Sequence, residues 1–502
     1  MANLFNSIRV PKLKTNKFNL SHDVKMSGRF GKLMPFMCVP TLPADRFIGN
    51  TEALVRFAPL TAPIMHNINV YTHFFFVPMR LVWDNWQAFI TGGEDGLESP
   101  SYPRIQLPNG SPEPFLQNRS LADYLGFPTV NDGSVIRKND SLDLLPFKAY
   151  QLIWNEYYRD QNLQEEVDID KEKDGIHDFS SYRYLLQLQN RSWKKDYFTS
   201  ALPFAQRGGD VSLPIYGEAE VTLTGQNGNI VNGQLQSAQL ANMISGVNMN
   251  DAQSATINEL RRAIKAQEFL ETAARGGSRY IEQIFSFFGV RSSDARLQRP
   301  QFIGGGKSPV QISDVLQTSE TSSSSPQASP SGHALSVQNS HSFNFYCEEH
   351  GYIIGIMSIM PQPCYQQGLP RVFSKFDRLD YYWPQFAHLG EQEIKEKEIF
   401  YDISSSSTSA DNLTFGYTPR YAEYKKINSS VHGDFRDQLS FWHMGRIFEN
   451  APLLNSDFLT DVETAANRCF AVQSGDYDKI WINIHNNLRA LRKMPKYGTP
   501  MF

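Results

Sequence analysis

One stretch limits the fold more than any other: Ile68–Val82, INVYTHFFFVPMRLV. In an extended strand Val70, Thr72, Phe74 and Phe76 fall on one side, and Tyr71, His73, Phe75 and Val77 on the other. Both sides are largely apolar, so the strand needs cover on both faces. Pro78 removes a ladder donor and ends it. Trp83, Trp86 and Ile90 follow at helical spacing, with Gly92-Gly93 as a C-cap. Gly351–Pro361, GYIIGIMSIMP, has the same character: apolar on both faces and stopped by proline. If the two share one sandwich, the long chain between them must leave the core and return. The expected architecture is a compact β core carrying very long insertions.

Along the chain, Leu33–Leu42 is apolar but broken by Pro35 and Pro40, which suits an edge strand. Thr51–Pro59 alternates as a strand should. Residues 94–141 are rich in turn signals, and Asp143–Tyr158 then reads as a helix. Pro146 suits its first turn, and Phe147, Tyr150, Ile153, Trp154 and Tyr157 line one face. From Leu213 the text turns polar, with Gly225, Asn227, Gly228, Asn232 and Gly233 after an apparent strand at Ile215–Thr224. This reads as an exposed excursion from the core. Thr256 with Glu259 forms a capping box opening a helix that Gly276-Gly277 ends; a second helix closes at Gly289. Ile480–Leu491 reads as a short helix before a basic tail. The aromatic-rich segments are assigned to the core.

Charge is unevenly placed. Residues 1–32 hold seven Lys or Arg (Arg9, Lys12, Lys14, Lys17, Lys25, Arg29, Lys32) against Asp23, a net +6. Residues 479–502 add five more (Lys479, Arg489, Arg492, Lys493, Lys496) with no acid. The whole chain carries −4, so the middle is strongly acidic. Two basic ends on an acidic body suit termini that meet a polyanion; ordinary solvated tails are the plainer alternative. Cys38, Cys347, Cys364 and Cys469 show no CxxC pairing and read as free thiols of a reducing cytoplasm. No apolar run reaches membrane-spanning length and no secretory leader is evident, so the chain reads as soluble, with no membrane partner.

The chain carries few residue patterns that point to chemistry. Gly304-Gly305-Gly306-Lys307-Ser308 lacks the first glycine of a phosphate loop, having Gln301 there, and Pro309 blocks the helix that should follow. His66 and His73 have no further ligands nearby. Glu348, Glu349 and His350 form a compact acid–His group with no HExxH or CxxC partner, more consistent with a turn before a strand. No catalytic residue, cofactor site or metal site is assigned, and the chain is read as a non-enzyme.

Several segments resemble the major capsid proteins of the gokushovirus branch of the microviruses, small icosahedral single-stranded DNA phages. They are Leu145–Leu163, Asp196–Arg207 (DYFTSALPFAQR), Ala274–Gly305, Glu349–Met360, Tyr382–Glu393 (YWPQFAHLGEQE) and Phe415–Tyr424, in the family's order and across most of the chain. The resemblance implies a mainly β fold: an eight-stranded antiparallel jelly-roll β-sandwich with long loop and helical insertions. Residues 1–32 would be a basic arm and 33–502 the core, interrupted at about 94–195 and 213–345. Residues 213–255 would be a surface protrusion and 479–502 a basic tail. It also implies self-assembly into an icosahedral shell around a circular single-stranded DNA genome, a small basic DNA-binding viral protein as companion, and a host cell-surface receptor. The protein would reside in the virion and assemble in the bacterial cytoplasm. Arg9, Lys12, Lys14, Lys17, Lys25, Arg29, Arg489, Arg492, Lys493 and Lys496 are the expected genome-facing residues. Gln226, Asn227, Gly228, Asn229 and Asn232 are expected to attach to the host, the alternative being a purely inter-subunit loop. A β-rich carbohydrate-binding module or glycosidase is the rival class, since jelly rolls host both.

Overall fold

A computed structural model describes residues 14–108, 114–129, 141–209, 220–223, 244–248, 257–277, 279–289, 293–318, 320–321, 327–403, 412–472, 475 and 477–497. Among them, ten strands form one antiparallel sheet. They are β1 (Asn16–Asn19), β2 (His22–Gly28), β3 (Met34–Thr41), β4 (Arg46–Phe57) and β5 (Ile68–Pro78). The remainder are β6 (Gln301–Pro309), β7 (Gln311–Leu316), β8 (Pro330–Tyr346), β9 (Gly351–Pro361) and β10 (Ile480–Arg492). Their order is β1-β10-β4-β8-β6-β5-β9-β3, with β7 joined to β8 and β2 to β10.

The two strands that are apolar on both faces are direct neighbours, paired without a break from Gly351↔Pro78 to Pro361↔Ile68. Each face of the pair is buried in a different core. Val70, Phe74 and Phe76 join Ile353, Met357 and Ile359 on one face. On the other, Phe75 and Val77 join Tyr352, Ile354 and Ile356. The first core closes because the sheet curls on itself. Phe36 of β3 meets Phe74 edge-on at 5.8 Å. Gly28, at the end of β2, lies against Met34 of β3 and Ile482 of β10, and a Cβ there would fall 2.7 Å from the Met34 sulfur. Strands far apart in the sheet order thus face each other, the arrangement of a jelly-roll sandwich, although the strands number ten in one continuous sheet instead of eight.

The second core is closed by the insertion after β5. Its main helix, α1 (Leu145–Ile153), is buried along its whole length and runs on into one wider turn, Trp154–Tyr158. Its polar groups are satisfied inside: the Tyr150 hydroxyl donates to the Leu33 carbonyl at 2.8 Å, and Trp154 Nε1 to the Asn190 carbonyl at 3.2 Å. Buried Lys148 donates to the Asp170 carbonyl at 2.7 Å, and desolvation lowers its pKa to about 8. A third, smaller core gathers Tyr197, Phe198, Tyr365, Ile394, Phe415 and Phe458 beside the two-stranded ribbon Glu391–Lys395 and Thr414–Pro419.

Some expectations hold closely. Leu33–Leu42 supplies the edge strand β3, the short helix Trp86–Thr91 ends on left-handed Gly92, and the helix expected to end at Gly276-Gly277 is α2 (Ile257–Gly276), followed by α3 (Tyr280–Phe288); its expected cap, Thr256, lies outside the described residues. Others do not. Ile480–Leu491, expected as a helix, is strand β10. Its Ile480, Ile482, Ile484, Asn486, Leu488 and Ala490 are buried at period two, and β1, β2 and β4 pair with it. Residues 16–19 and 22–28, expected within a basic arm, are strands of the same sheet; residues 1–13 lie outside the described residues. The sheet resumes at Gln301, well before 345. The run Gly304-Gly305-Gly306-Lys307-Ser308 belongs to β6 beside β5. There a Cβ on Gly305 would meet the Thr72 carbonyl at 2.4 Å, so close strand packing accounts for the glycine.

Trp154→Ala is expected to cost about 3–5 kcal/mol, since the cavity left beneath α1 cannot refill. Denaturant unfolding monitored by fluorescence would measure it, and a change below about 1 kcal/mol would show that this helix does not close the second core.

Candidate interaction surfaces

Histidines and acids singled out in the sequence serve the fold. Glu349 pairs with Arg80 at 2.6 Å, and the His350 ring packs edge-on to Trp86 at 5.6 Å. His66 is hydrogen-bonded to the Gln362 carbonyl and His73 to the Tyr158 hydroxyl, each at 2.7 Å. Burial pushes both imidazoles down to about 4, so neither carries charge at neutral pH. Among the described residues no group of three or more His, Cys, Asp or Glu could hold a metal, and no helix is long and apolar enough to cross a membrane. The four cysteines are free; Cys347, Cys364 and Cys469 are buried.

The basic residues of the two ends divide by strand parity. On β10 the positions of Ile480, Ile482 and Ile484 face the core, and those of Trp481, Asn483, His485 and Arg489 face outward. Residues directly opposite one another across an antiparallel pair share a face. Lys25 lies opposite Asn483, Lys17 opposite Leu491, and Asn19 opposite Arg489, so Lys17, Lys25 and Arg489 occupy one outer face. Register adds Arg56, opposite Trp481, and Arg46, opposite Leu491. The sequence reading missed both, because only register places them. Asp23 and Glu52 are the acids of this face, and Asp23 is already paired with His485 at 2.5 Å. Exposed Trp481 stands among the cations.

Arg492 has the opposite parity. It turns inward, where its Nε meets Asp45 at 2.9 Å, a carboxylate only 1% exposed. Arg29 likewise meets buried Asp478 at 2.7 Å, with Arg119 at 3.7 Å from the same carboxylate. Both arginines thus serve a buried acid. Lys14, Lys493 and Lys496 are exposed, while Arg9 and Lys12 lie outside the described residues.

Within the polar excursion Glu220–Leu223 pairs antiparallel with Ile244–Asn248 as a two-stranded ribbon. Gln226, Asn227, Gly228, Asn229 and Asn232 lie outside the described residues. α2 follows, and of its residues only Ala273 and Ala274 are buried.

A further surface corrects the assignment of aromatic segments to the core. Between Arg371 and Leu389 short 3-10 turns display Phe373, Phe376, Tyr381, Tyr382 and Trp383 to solvent. Beside them lies a pocket of about 570 Å³ whose apolar lining includes Phe198, Tyr365, Pro370, Val372, Phe373 and Ile427. Composition could not separate this ridge from core, since both are written in the same residues.

A curled antiparallel sheet with long insertions is an architecture that viral shell proteins share with lectin domains, and likeness to known proteins decides between them. The chain belongs to the family described as capsid protein (F protein), whose profile matches residues 7–502. It is 34% identical to the capsid protein VP1 of Chlamydia phage 1, over 100% of this chain and 98% of that one. It is also 34% identical to capsid protein VP1 of Bdellovibrio phage phiMH2K (98% and 96% covered) and 28% identical to that of Spiroplasma virus 4 (99% and 96%). The protein is a structural capsid protein of this branch.

Strand parity divides the basic residues into two groups that differ in stability effect. Arg492→Ala strands the Asp45 carboxylate and is expected to cost about 3 kcal/mol of subunit stability. Lys493→Ala and Lys496→Ala should each stay within about 0.5 kcal/mol of wild type. Chemical denaturation of the three variants would measure this, and equal effects at all three sites would refute the division.

Proposed function

We propose that this protein is the major capsid protein that closes an icosahedral shell around a single-stranded DNA genome, with the 213–255 excursion attaching the particle to its host. The observation that carries the reading is family membership over residues 7–502, with relatives aligned over 98–100% of this chain. The family assigns shell assembly and residence in the virion; genome, receptor and a small basic companion protein are the finer parts of the proposal. Assembly in the bacterial cytoplasm fits four unpaired cysteines.

For the genome, the outer face of β1, β2, β10 and β4 offers Lys17, Lys25, Arg46, Arg56 and Arg489 at fixed spacing beside Trp481. Cations neutralise phosphates without regard to sequence, and an exposed ring stacks on any base. The basic residues 9–17 extend this set. Neutralising Arg9, Lys12, Lys14 and Lys17 together should leave shells that form but retain little DNA, measured as the ultraviolet absorbance ratio of purified particles. Protease cleavage of this segment in intact filled particles would place it outside and refute its role.

For attachment, the ribbon Glu220–Leu223/Ile244–Asn248 brings the two ends of the segment between them together, and it pairs with no strand of the ten-stranded sheet. Polar loop backbone stays at the surface, where its donors and acceptors are hydrated, and loops on rigid scaffolds commonly carry binding residues. Replacing residues 226–232 by a short Gly-Ser linker should leave particle yield intact, because loop-length changes cost only about 0.6 kcal/mol per doubling. Adsorption to host cells should fall at least tenfold. Particles that adsorb at the parental rate would move attachment elsewhere on the shell.

A further inference from the structure

The exposed ridge at Arg371–Leu389 is held more firmly than its exposure would suggest. Beneath it, Lys375 Nζ pairs with Glu423 at 2.6 Å, both side chains almost fully buried, and lies 3.9 Å above the Tyr424 ring. Arg371 pairs with buried Glu398 at 3.2 Å, and Glu398 also accepts the Tyr197 hydroxyl at 2.8 Å. The Asp380 carboxylate accepts the backbone N–H groups of Phe376 and Asp377 at 3.2 and 3.0 Å, closing the turn. Trp383 Nε1 donates to the Arg378 carbonyl at 2.8 Å, and Tyr382 packs edge-on to Tyr421 at 5.0 Å. The backbone is pinned by polar contacts while Phe376, 89% exposed, and Phe373, 72% exposed, are left uncovered. An apolar surface this concentrated on an ordered segment marks an interaction site.

The same subunit carries a matching receptor. The pocket beside the ridge, about 570 Å³, is lined mainly by apolar groups, with Ile427 93% exposed at its mouth. Lys426 and Arg436 stand among its lining residues; Lys426 donates to the Lys195 carbonyl within the field of Asp196, and Arg436 to the Val431 carbonyl and the His432 ring. The other charged groups of the lining are already engaged: Arg371 with Glu398, and Glu423 with Lys375. The rim is therefore cationic around an apolar floor. The ridge tip has the complementary character: exposed Phe376 followed by exposed Asp377, Arg378 and Asp380, net −1. A nucleic acid would need a net cationic ridge, whereas Arg371 and Lys375 are neutralised there and exposed Arg378 stands between Asp377 and Asp380.

We propose that the Phe376 turn of one copy inserts into the pocket of a neighbouring copy, with Asp377 facing Lys426 and Arg436. This rests on the capsid reading and adds the residues of one contact. The Phe376 turn and the pocket floor are different parts of one subunit surface, the ridge residues Arg371, Val372 and Phe373 forming one wall of the pocket; the contact is head-to-tail, and it forms a ring where the rotation between copies closes. Its centre is an aromatic anchor in an apolar pocket, the arrangement in which a few residues carry most of the association energy.

Phe376 and Ile427 are exposed in the subunit, so Phe376→Ser and Ile427→Asp should leave circular dichroism and melting temperature unchanged. In sedimentation velocity wild-type protein should run as shell-sized particles, and each variant as subunits or small intermediates, with particle yield at least tenfold lower. As a second measurement, Phe376→Cys protein co-assembled at a low ratio with wild type should react with a maleimide at least tenfold more slowly in particles than as free subunits. Variants that assemble at wild-type yield, or a thiol that labels equally fast in both states, would overturn the proposal. Variants that assemble but no longer adsorb to cells would overturn it too, assigning the ridge to a host component. Wild-type protein that never forms particles would defeat the capsid reading itself, an outcome distinct from the other three.

Discussion

The rest of the structure depends on β5 and β9 lying side by side with apolar residues on both faces. A sheet whose centre is apolar on one side can float its other side in water. This one cannot, and each face needs a separate cover. The first is supplied by curling the sheet until β2, β3 and β10 approach one another over Phe74 and Met357. The second comes from α1 and its flanking segments, packed on Phe75, Ile354 and Ile356. The insertion after β5 is thus part of the minimal fold. It also explains how the chain can leave the sheet at Pro78 and rejoin it beside the same strand at Gln301: residues between them first build the missing layer.

A scaffold pinned in this way can hold exposed groups in fixed positions without spending their entropy on association. On the outer face of β10 and its neighbours, strand register spaces the cations and Trp481. At the ridge, buried ion pairs and turn caps hold the backbone while Phe373 and Phe376 remain uncovered. In both places polar contacts sit beneath the surface and the groups available for binding sit above it. That order suits a protein whose role is association, because preorganised side chains lose little freedom when a partner arrives.

The two-sided strands, the edge strand with its prolines, α1 and the glycine-ended helices were all legible in the sequence. Each rests on local chemistry: alternation, missing donors, capping residues and turn glycines. β10 was misread because IWINIHNNLRALR is short enough for its apolar residues to suit either a helix or a strand, and its pairing partners lie more than 400 residues away. The basic ends were recognised as basic, but their two kinds of arginine could not be told apart. Asp45 and Asp478 are remote from Arg492 and Arg29 in the chain, and only folding brings them together. Nothing in the sequence distinguished the aromatic ridge from core.

By itself the sequence determined that β5 and β9 must be buried on both faces, that long insertions interrupt the β core, and, through its resemblance to capsid proteins, the role of the chain. Those follow from side-chain periodicity and from extended matches, which need no knowledge of neighbours. Only the tertiary structure decided which strands adjoin, which cations face solvent, and which aromatics remain uncovered. Pairing register and charge compensation are long-range properties, set by residues hundreds of positions apart that meet only when the sheet closes.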